Sequence, residues 1–139
     1  SAVAGVRYVV DVDGEIDTGD GTMIAIDSHD EQVVTGLQTT TRTVNGTGST
    51  DLSMTIEGQS LSVESTRSIN SLVLPSEPGP GKYPGSGSIT FTATADQVTY
   101  SATMTFNGTS TVSIVSTLDG TTQTCTYNLA TLEAPAVCS

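Results

Sequence analysis

The sequence has no tryptophan, one histidine and two phenylalanines, and only four of its 139 residues are lysine or arginine. Nucleic-acid-binding proteins and helices that lie on membrane surfaces carry clusters of basic residues, often beside aromatic residues. Fifteen acidic residues bring the net charge to -11, and this charge repels phosphate backbones and anionic lipids. We therefore expect neither nucleic acid nor an anionic membrane surface as a partner.

Long apolar runs and helical periodicity are also missing. No apolar run approaches the roughly 18 residues of a membrane-spanning helix, and apolar residues do not recur at the helical spacing. Threonine and serine, by contrast, number 25 and 17, and threonine and valine favour strands over helices. The sequence therefore predicts a single domain over residues 1–139 with essentially no helix.

Alternation of apolar and hydroxyl side chains characterises residues 88–129. Ile89, Phe91 and Ala93 alternate with serine or threonine, and residues 98–106 repeat the pattern. Such alternation is typical of strands with one buried face. The segment is thus predicted to form a four-stranded antiparallel meander. Its turns are predicted at three dipeptides, the last two being two-residue turns: Ala95-Asp96, Asn107-Gly108 and Asp119-Gly120.

The first half of the chain shows the same alternation less regularly. A hairpin is predicted around Glu57-Gly58, and residues 75–87, which hold four of the five prolines, are predicted to be a long loop. Because each strand has one apolar side, we predict about nine antiparallel strands in an all-β fold, connected as hairpins and closed as a barrel or a two-sheet sandwich. The strands predicted in this half cover residues 5–13, 22–27, 32–42, 52–56, 61–63 and 69–74.

Cys125 and Cys138 lie 13 positions apart, a spacing that matches neither a zinc site nor a C-x-x-C redox motif. A disulfide between them would stabilise the fold by about 3 kcal/mol in the chain-entropy model, and it would attach the C-terminal tail, residues 130–139, to a strand. Two buried free thiols are the alternative. A disulfide indicates an oxidising compartment, so we expect an exported protein that is secreted, periplasmic or at the cell surface.

Eight of the fifteen acidic residues fall within residues 11–31, which contain no lysine or arginine. An EF-hand loop beginning at Asp11 would need glycine and glutamate where Ile16 and Thr22 stand. Clustered carboxylates nevertheless attract hard cations, and the candidate ligands for an irregular calcium site are Asp11, Asp13, Asp17 and Asp20. The competing interpretation is a solvated strand face, and no other cofactor is expected.

The single histidine, His29, lies in the polar segment 27–31, which we interpret as a turn between two strands. The carboxylates beside it favour the protonated ring and would raise its pKa. A Ser-His-Asp triad is conceivable from the residue types alone, but no G-x-S-x-G motif accompanies it. We therefore predict a surface histidine, no catalytic residues and no enzymatic activity.

Asn45 and Asn107 each begin the sequence Asn-Gly-Thr, which matches the acceptor pattern for N-glycosylation. Both fall in predicted turns, where a glycan can be accommodated. Tight turns also select Asn-Gly for its backbone conformation, so the two sites have a conformational explanation as well.

Two classes of function remain. The first is a non-enzymatic structural, adhesive or binding module of the cell exterior. Its most apolar strand, residues 2–12, is the candidate for self-association by strand addition to a neighbouring copy; pairing of this strand inside its own domain is the alternative. The second class is a barrel that carries a small, lipid-like apolar ligand. A calcium-dependent surface domain is a further alternative.

Overall fold

The computed structural model of the chain describes residues 3–131 and 134–139. Nine strands form one antiparallel sheet, in which each strand pairs with the next strand along the sequence. No helix occurs in the described residues. The predicted all-β class with nine antiparallel strands is confirmed. The strands are β1 (Gly5–Asp17), β2 (Met23–Thr35), β3 (Thr41–Ile56), β4 (Gln59–Pro75), β5 (Ser86–Ala95), β6 (Val98–Phe106), β7 (Thr111–Leu118), β8 (Thr121–Asn128) and β9 (Val137–Cys138).

The pairing register separates apolar from polar side chains. Ile89 lies directly opposite Met104, and Met104 lies directly opposite Ile114. One residue along, Thr90 lies opposite Thr103, and their hydroxyl oxygens are 3.2 Å apart. Side chains alternate along a strand, and the ladders preserve this alternation from one strand to the next. The two sides of the sheet, called here the apolar face and the polar face, are therefore continuous across it.

The predicted meander corresponds to β5–β8 and is confirmed. Asp119 and Gly120 both have positive φ, 46° and 81°, as a two-residue type I′ turn requires. The predicted two-residue turn at Asn107-Gly108 is wrong, because a longer loop, residues 107–110, joins β6 to β7. In that loop the Asn107 carboxamide oxygen accepts hydrogen bonds from the N–H and the hydroxyl of Thr109.

Several strand boundaries predicted in the first half are wrong. The polar segment 27–31 is no turn, because it lies inside β2, and the chain turns instead at residues 36–40. The segments 61–63 and 69–74 belong to one strand, β4. The alternation of apolar and polar side chains is interrupted in this region, because polar side chains such as Ser28 and Gln32 lie on the apolar face, opposite Thr50 and Gly46.

One β-bulge, in β4, lies at the end of the sheet that contains the buried core. The β3–β4 register shifts between Val44 and Gly46, the β4–β5 register shifts between Asn70 and Val73, and in both ladders the additional residue belongs to β4. A bulge bends its strand and increases the local twist. The sheet is therefore bent where its most buried side chains meet. The buried residues of the core cluster are Val44, Leu72, Phe106 and Val112.

The strands β1 and β9 lie at opposite edges of the sheet. Within residues 3–131 and 134–139, no ladder joins one edge to the other, so the sheet is not closed into a barrel there. The two edges also differ in length, because β1 has 13 residues and β9 has two.

The C-terminal tail is attached to β8 by a disulfide between Cys125 and Cys138. These residues lie directly opposite each other in the β8–β9 ladder. Ser139 and Thr124 exchange two backbone hydrogen bonds, of 2.9 and 3.4 Å. Residues 132 and 133 of the predicted tail, 130–139, lie outside the described residues. The disulfide is consistent with an extracellular location.

Reduction of the disulfide is expected to release β9 and to leave the meander folded, because the β8–β9 ladder contains only two residue pairs. Hydrogen exchange measured by mass spectrometry should become faster for residues 137–139 by roughly tenfold or more. The oxidised protein and the double variant C125S/C138S are the controls. Global unfolding in mild reductant, or two free thiols in the intact mass of untreated protein, would contradict this interpretation.

Candidate functional site on the acidic half of the sheet

A row of carboxylates crosses the polar face over four consecutive strands. Directly opposed positions of β1, β2, β3 and β4 hold Asp13, Asp27, Asp51 and Glu64. Opposed residues have Cβ atoms about 4.5–5.5 Å apart. The side chains of Ala25, Ser53 and Ser62 are small, and these residues line a shallow depression beside the row. Like charges in opposed positions repel each other, so this row destabilises the sheet.

Three of the predicted calcium ligands, Asp11, Asp13 and Asp17, lie on the polar face of β1. Successive residues on one face of a strand are about 7 Å apart, so one ion cannot contact all three carboxylates of this strand. In the described residues, no group of three or more His, Cys, Asp or Glu side chains is arranged to hold a metal ion. The calcium site stays a prediction.

The fourth predicted ligand, Asp20, lies in the turn between β1 and β2. Its carboxylate accepts hydrogen bonds from the Thr18 hydroxyl and, at 3.0 Å, from the Thr22 N–H. These two donors, Thr18 first, hold the pKa of Asp20 below its usual value. Asp17 accepts a similar bond, of 2.8 Å, from the Gly19 N–H. Both carboxylates therefore stabilise the turn.

His29 lies directly opposite Asp11 on the polar face. Its Nδ1 is 2.5 Å from Asp11 Oδ1. The hydrogen bond and the charge of Asp11 raise the pKa of His29, with smaller contributions from Glu31 and Asp30. The predicted effect of neighbouring carboxylates therefore acts across two strands, from Asp11, as well as within the segment 27–31.

Ser28 does not form a nucleophile pair with His29. Its hydroxyl lies on the apolar face, 2.9 Å from the hydroxyl of Thr50 and 3.2 Å from the carbonyl oxygen of Ser49. A catalytic nucleophile and its base need to be within hydrogen-bond reach. The polar segment 27–31 therefore contains the residue types of a triad without its geometry.

Arg7 forms a bidentate ion pair with Glu31 on the polar face. Its Nε and Nη2 donate to the two carboxylate oxygens at 2.7 and 2.8 Å. The hydrogen bond from Arg7 lowers the pKa of Glu31, and the same contact raises the pKa of Arg7. The side chains are 62% and 34% exposed, so water screens much of this attraction.

A second ion pair, Arg67 with Asp30, lies on the apolar face. Gly48 lies opposite both residues, and a side chain there would collide with the Asp30 carboxylate. Together with Ser28 and Thr50, these residues form a polar belt across β2–β4. The belt separates the core from the other apolar end of the sheet. The sequence alone does not reveal this belt, because the register of three strands brings its residues together.

The apolar face is largely uncovered. Val10 and Val98 are half exposed, and Ile16 and Leu118 are 62% and 53% exposed. The accessible surface of the chain is 8987 Å², about a third more than the roughly 6,800 Å² of a compact protein of 14.2 kDa. Soluble monomers rarely expose contiguous apolar patches of more than a few hundred Å². This face is therefore a candidate association surface.

The two glycosylation candidates occupy different surroundings. Asn107 lies in the loop 107–110, whereas Asn45 lies inside β3 at a bulge, so its prediction as a turn residue is wrong. The Asn45 carboxamide oxygen accepts a hydrogen bond of 2.7 Å from the Ser71 N–H. Ser71 has a φ of 47°, a conformation that costs energy for a residue other than glycine. The Asn45 side chain thus stabilises the bulge.

Comparisons of the chain with protein-family models, with curated proteins and with solved structures give no match. Among the described residues, no helix has the length and hydropathy needed to cross a membrane.

The contact between His29 and Asp11 can be tested directly, because His29 is the only histidine. Its pKa measured by NMR should lie above the ordinary 6.5. The stability that the pair contributes is fully present below pH 6.5 and is lost as the pH rises through the folded-state pKa. Asp11→Asn should bring the His29 pKa back towards 6.5. Asp13→Asn removes the same charge two residues along and is the matched control; equal effects of the two substitutions would refute the assignment.

Neutralising the carboxylate row at its centre is expected to stabilise the protein. Asp51→Asn removes the repulsion from Asp27 and Glu64, and should raise Tm by about 1–3 °C at low salt and by less in concentrated NaCl. Glu77→Gln, in the loop outside the sheet, changes the net charge equally and is the control. A larger gain from Glu77→Gln would show that net charge matters more than the row. Ca²⁺ that stabilises more than NaCl of equal ionic strength would favour a specific calcium site.

Proposed function

We propose that the protein is an exported, non-enzymatic structural or adhesive module that associates with further copies of itself. The uncovered apolar face, with Val10, Val98 and Leu118 half exposed or more, is the observation that supports this proposal. Obligate interfaces between identical chains bury about 2,000 Å² or more in total. The surface in excess of a compact monomer is large enough for an interface of that size.

The open edge of β1 supplies a second surface for association. Within the described residues, no other strand pairs with its outer side, whereas β9 and Ser139 cover part of the opposite edge. Unprotected edge strands readily pair with strands of other chains. Strand addition is therefore favoured at the predicted residues 2–12, of which residue 2 lies outside the described residues.

Two observations support the remaining parts of the proposal. Ser28 and His29 point to opposite faces, which speaks against a triad in the polar segment 27–31 and favours a protein without enzymatic activity. The disulfide between Cys125 and Cys138 favours export, because disulfides persist in oxidising compartments.

A carrier of a small, lipid-like ligand is the second candidate function. It is favoured by the apolar end of the sheet beyond the polar belt, where Ile24, Ile26 and Leu52 share one face with Val63. A carrier of this kind would need a barrel or sandwich that encloses the ligand. The free edges of the sheet give this candidate less support than association between copies.

Self-association is expected to depend on protein concentration. Sedimentation velocity of the full oxidised chain, from roughly 1 to 300 µM, should show the mass rising from 14.2 kDa towards a multiple of that value. A monomeric mass over the whole range would refute the proposal. If such a monomer also bound a fatty acid with a one-to-one stoichiometry, the carrier function would replace it.

A further inference from the structure

We infer, on the basis of the proposed self-association, that two copies pair antiparallel along β1 about a two-fold axis at Val9. The two sheets then continue into each other, with their apolar faces on the same side. The partner is a second copy of this chain, and the contact is isologous, meaning that both copies use the same residues.

The backbone of β1 determines which groups are available for this contact. The backbone N–H of Thr18 donates a hydrogen bond to the carbonyl of Thr22 at one end of the β1–β2 hairpin. At the other end, the backbone N–H of Gly36 donates to the carbonyl of Ala4. Hydrogen-bonded pairs alternate along an antiparallel ladder, so the even-numbered residues of β1 bond to β2. Its odd-numbered residues, Val9 among them, direct their N–H and C=O groups to the open edge.

The axis at Val9 makes the side chains of the polar face complementary. It places Val9 opposite the partner's Val9, and Arg7 opposite the partner's Asp11. Val9 is an apolar residue on the polar face and is 41% exposed, so pairing with itself removes apolar surface from water. Arg7 is the only cation in β1. Because the axis is two-fold, the contact contains two pairs of Arg7 with Asp11.

With the same axis, the side chains of the two copies are also complementary on the apolar face. Tyr8 lies opposite the partner's Val10, and Val6 lies opposite the partner's Val12. These four residues are between 43% and 50% exposed in the single chain. Aromatic and β-branched pairs in opposed positions stabilise sheets.

Other antiparallel registers are less favourable. An axis at Val10 places Arg7 opposite the partner's Asp13, but it separates the two Val9 residues and leaves Asp11 opposite Val9 instead of a cation. An axis at Asp11 places that carboxylate opposite its own copy. Opposed like charges are destabilising. With an axis at Val12, Asp13 lies opposite the partner's Asp11, and with an axis at Asp13 it lies opposite its own copy; Arg7 faces Asp13 in neither register.

The two ion pairs already present on the polar face become one continuous row in the dimer. His29 contacts Asp11 in one copy, and Arg7 contacts Glu31 in the other. When Asp11 lies opposite the partner's Arg7, protonated His29, Asp11, Arg7 and Glu31 form a row of alternating charge over four strands. In this row each charge neighbours a charge of opposite sign, whereas the carboxylate row places like charges next to each other.

Self-crosslinking of single cysteine variants tests the register. Val9→Cys should form a disulfide-linked dimer under mild oxidation, because opposed Cα atoms of a hydrogen-bonded pair are about 5.5 Å apart. Asp13→Cys is the matched control, since its two copies would be about 27 Å apart. We expect crosslinking of Val9→Cys to exceed that of Asp13→Cys by roughly tenfold or more. Equal crosslinking of the two variants, or none of Val9→Cys, would overturn the inference.

Blocking the edge provides a second test that does not depend on oxidation. Val9→Pro removes an N–H that β2 does not use, and edge strands tolerate such prolines. It should abolish the dimer, whereas Val9→Thr, which keeps the N–H, should retain it; circular dichroism checks that both variants are folded. If Val9→Pro fails to fold, Arg7→Gln should weaken dimerisation at low salt by roughly fivefold or more. A dimer that resists the substitutions at Val9 and Arg7 would overturn the inference.

A variant on the apolar face distinguishes failure of the β1 contact from failure of the proposed self-association. A dimer that is insensitive to the variants of β1 but dissociates with Val98→Lys would use the apolar face as its contact. That outcome overturns the edge contact and leaves self-association intact. A chain that is monomeric at every concentration overturns both.

Discussion

The strands carry their apolar side chains on one side because side chains alternate along a strand and the hairpin ladders preserve that alternation. A slip of one residue in any ladder would move a whole strand's apolar residues to the polar face. The ladder from Ile89 through Met104 to Ile114 illustrates this constraint. The buried core, the exposed apolar area and the carboxylate row all depend on it.

The polar face is divided into two chemically different halves by the same constraint. Over β5–β8 the opposed residues are hydroxyl pairs such as Thr90 with Thr103 and Thr117 with Thr122, at 3.2 and 2.9 Å. Such pairs stabilise a sheet without charge. Over β1–β4 the opposed residues include the carboxylate row, which destabilises it. A single sheet thus combines a stable meander with an acidic half that lies beside the open edge of β1.

The core occupies one end of the sheet, and this placement explains why so much apolar surface remains exposed. The bulge of β4 beside Leu72 bends the sheet there, and the side chains of several strands can meet. At the other end, beyond the polar belt, Ile16 and Val98 have no such enclosure and remain half exposed or more. The proposed pairing along β1 would extend the sheet and remove part of the exposed apolar surface from water, while a contact through the apolar face would remove more of it.

The sequence by itself determined the class of fold, the meander and which two cysteines could form a disulfide. Apolar and hydroxyl side chains alternate within the strands of residues 88–129, so each strand could be predicted without its neighbours, although the turn at Asn107-Gly108 could not. Cys125 and Cys138 are the only cysteines, so only one pairing exists. The candidate edge, residues 2–12, was recognisable because its apolar residues also alternate.

Only the tertiary structure decided which polar residues belong to strands and which of them face each other. Ser28, Asp30 and Gln32 interrupt the alternation of β2, and Gly46 and Gly48 interrupt that of β3. Local patterns therefore indicated turns, although the neighbouring strands supply partners that make these residues acceptable in a sheet. The carboxylate row and the contact of His29 with Asp11 require the register of residues 13 or more positions apart in sequence. Register is a property of paired strands, and for that reason no local pattern could reveal it.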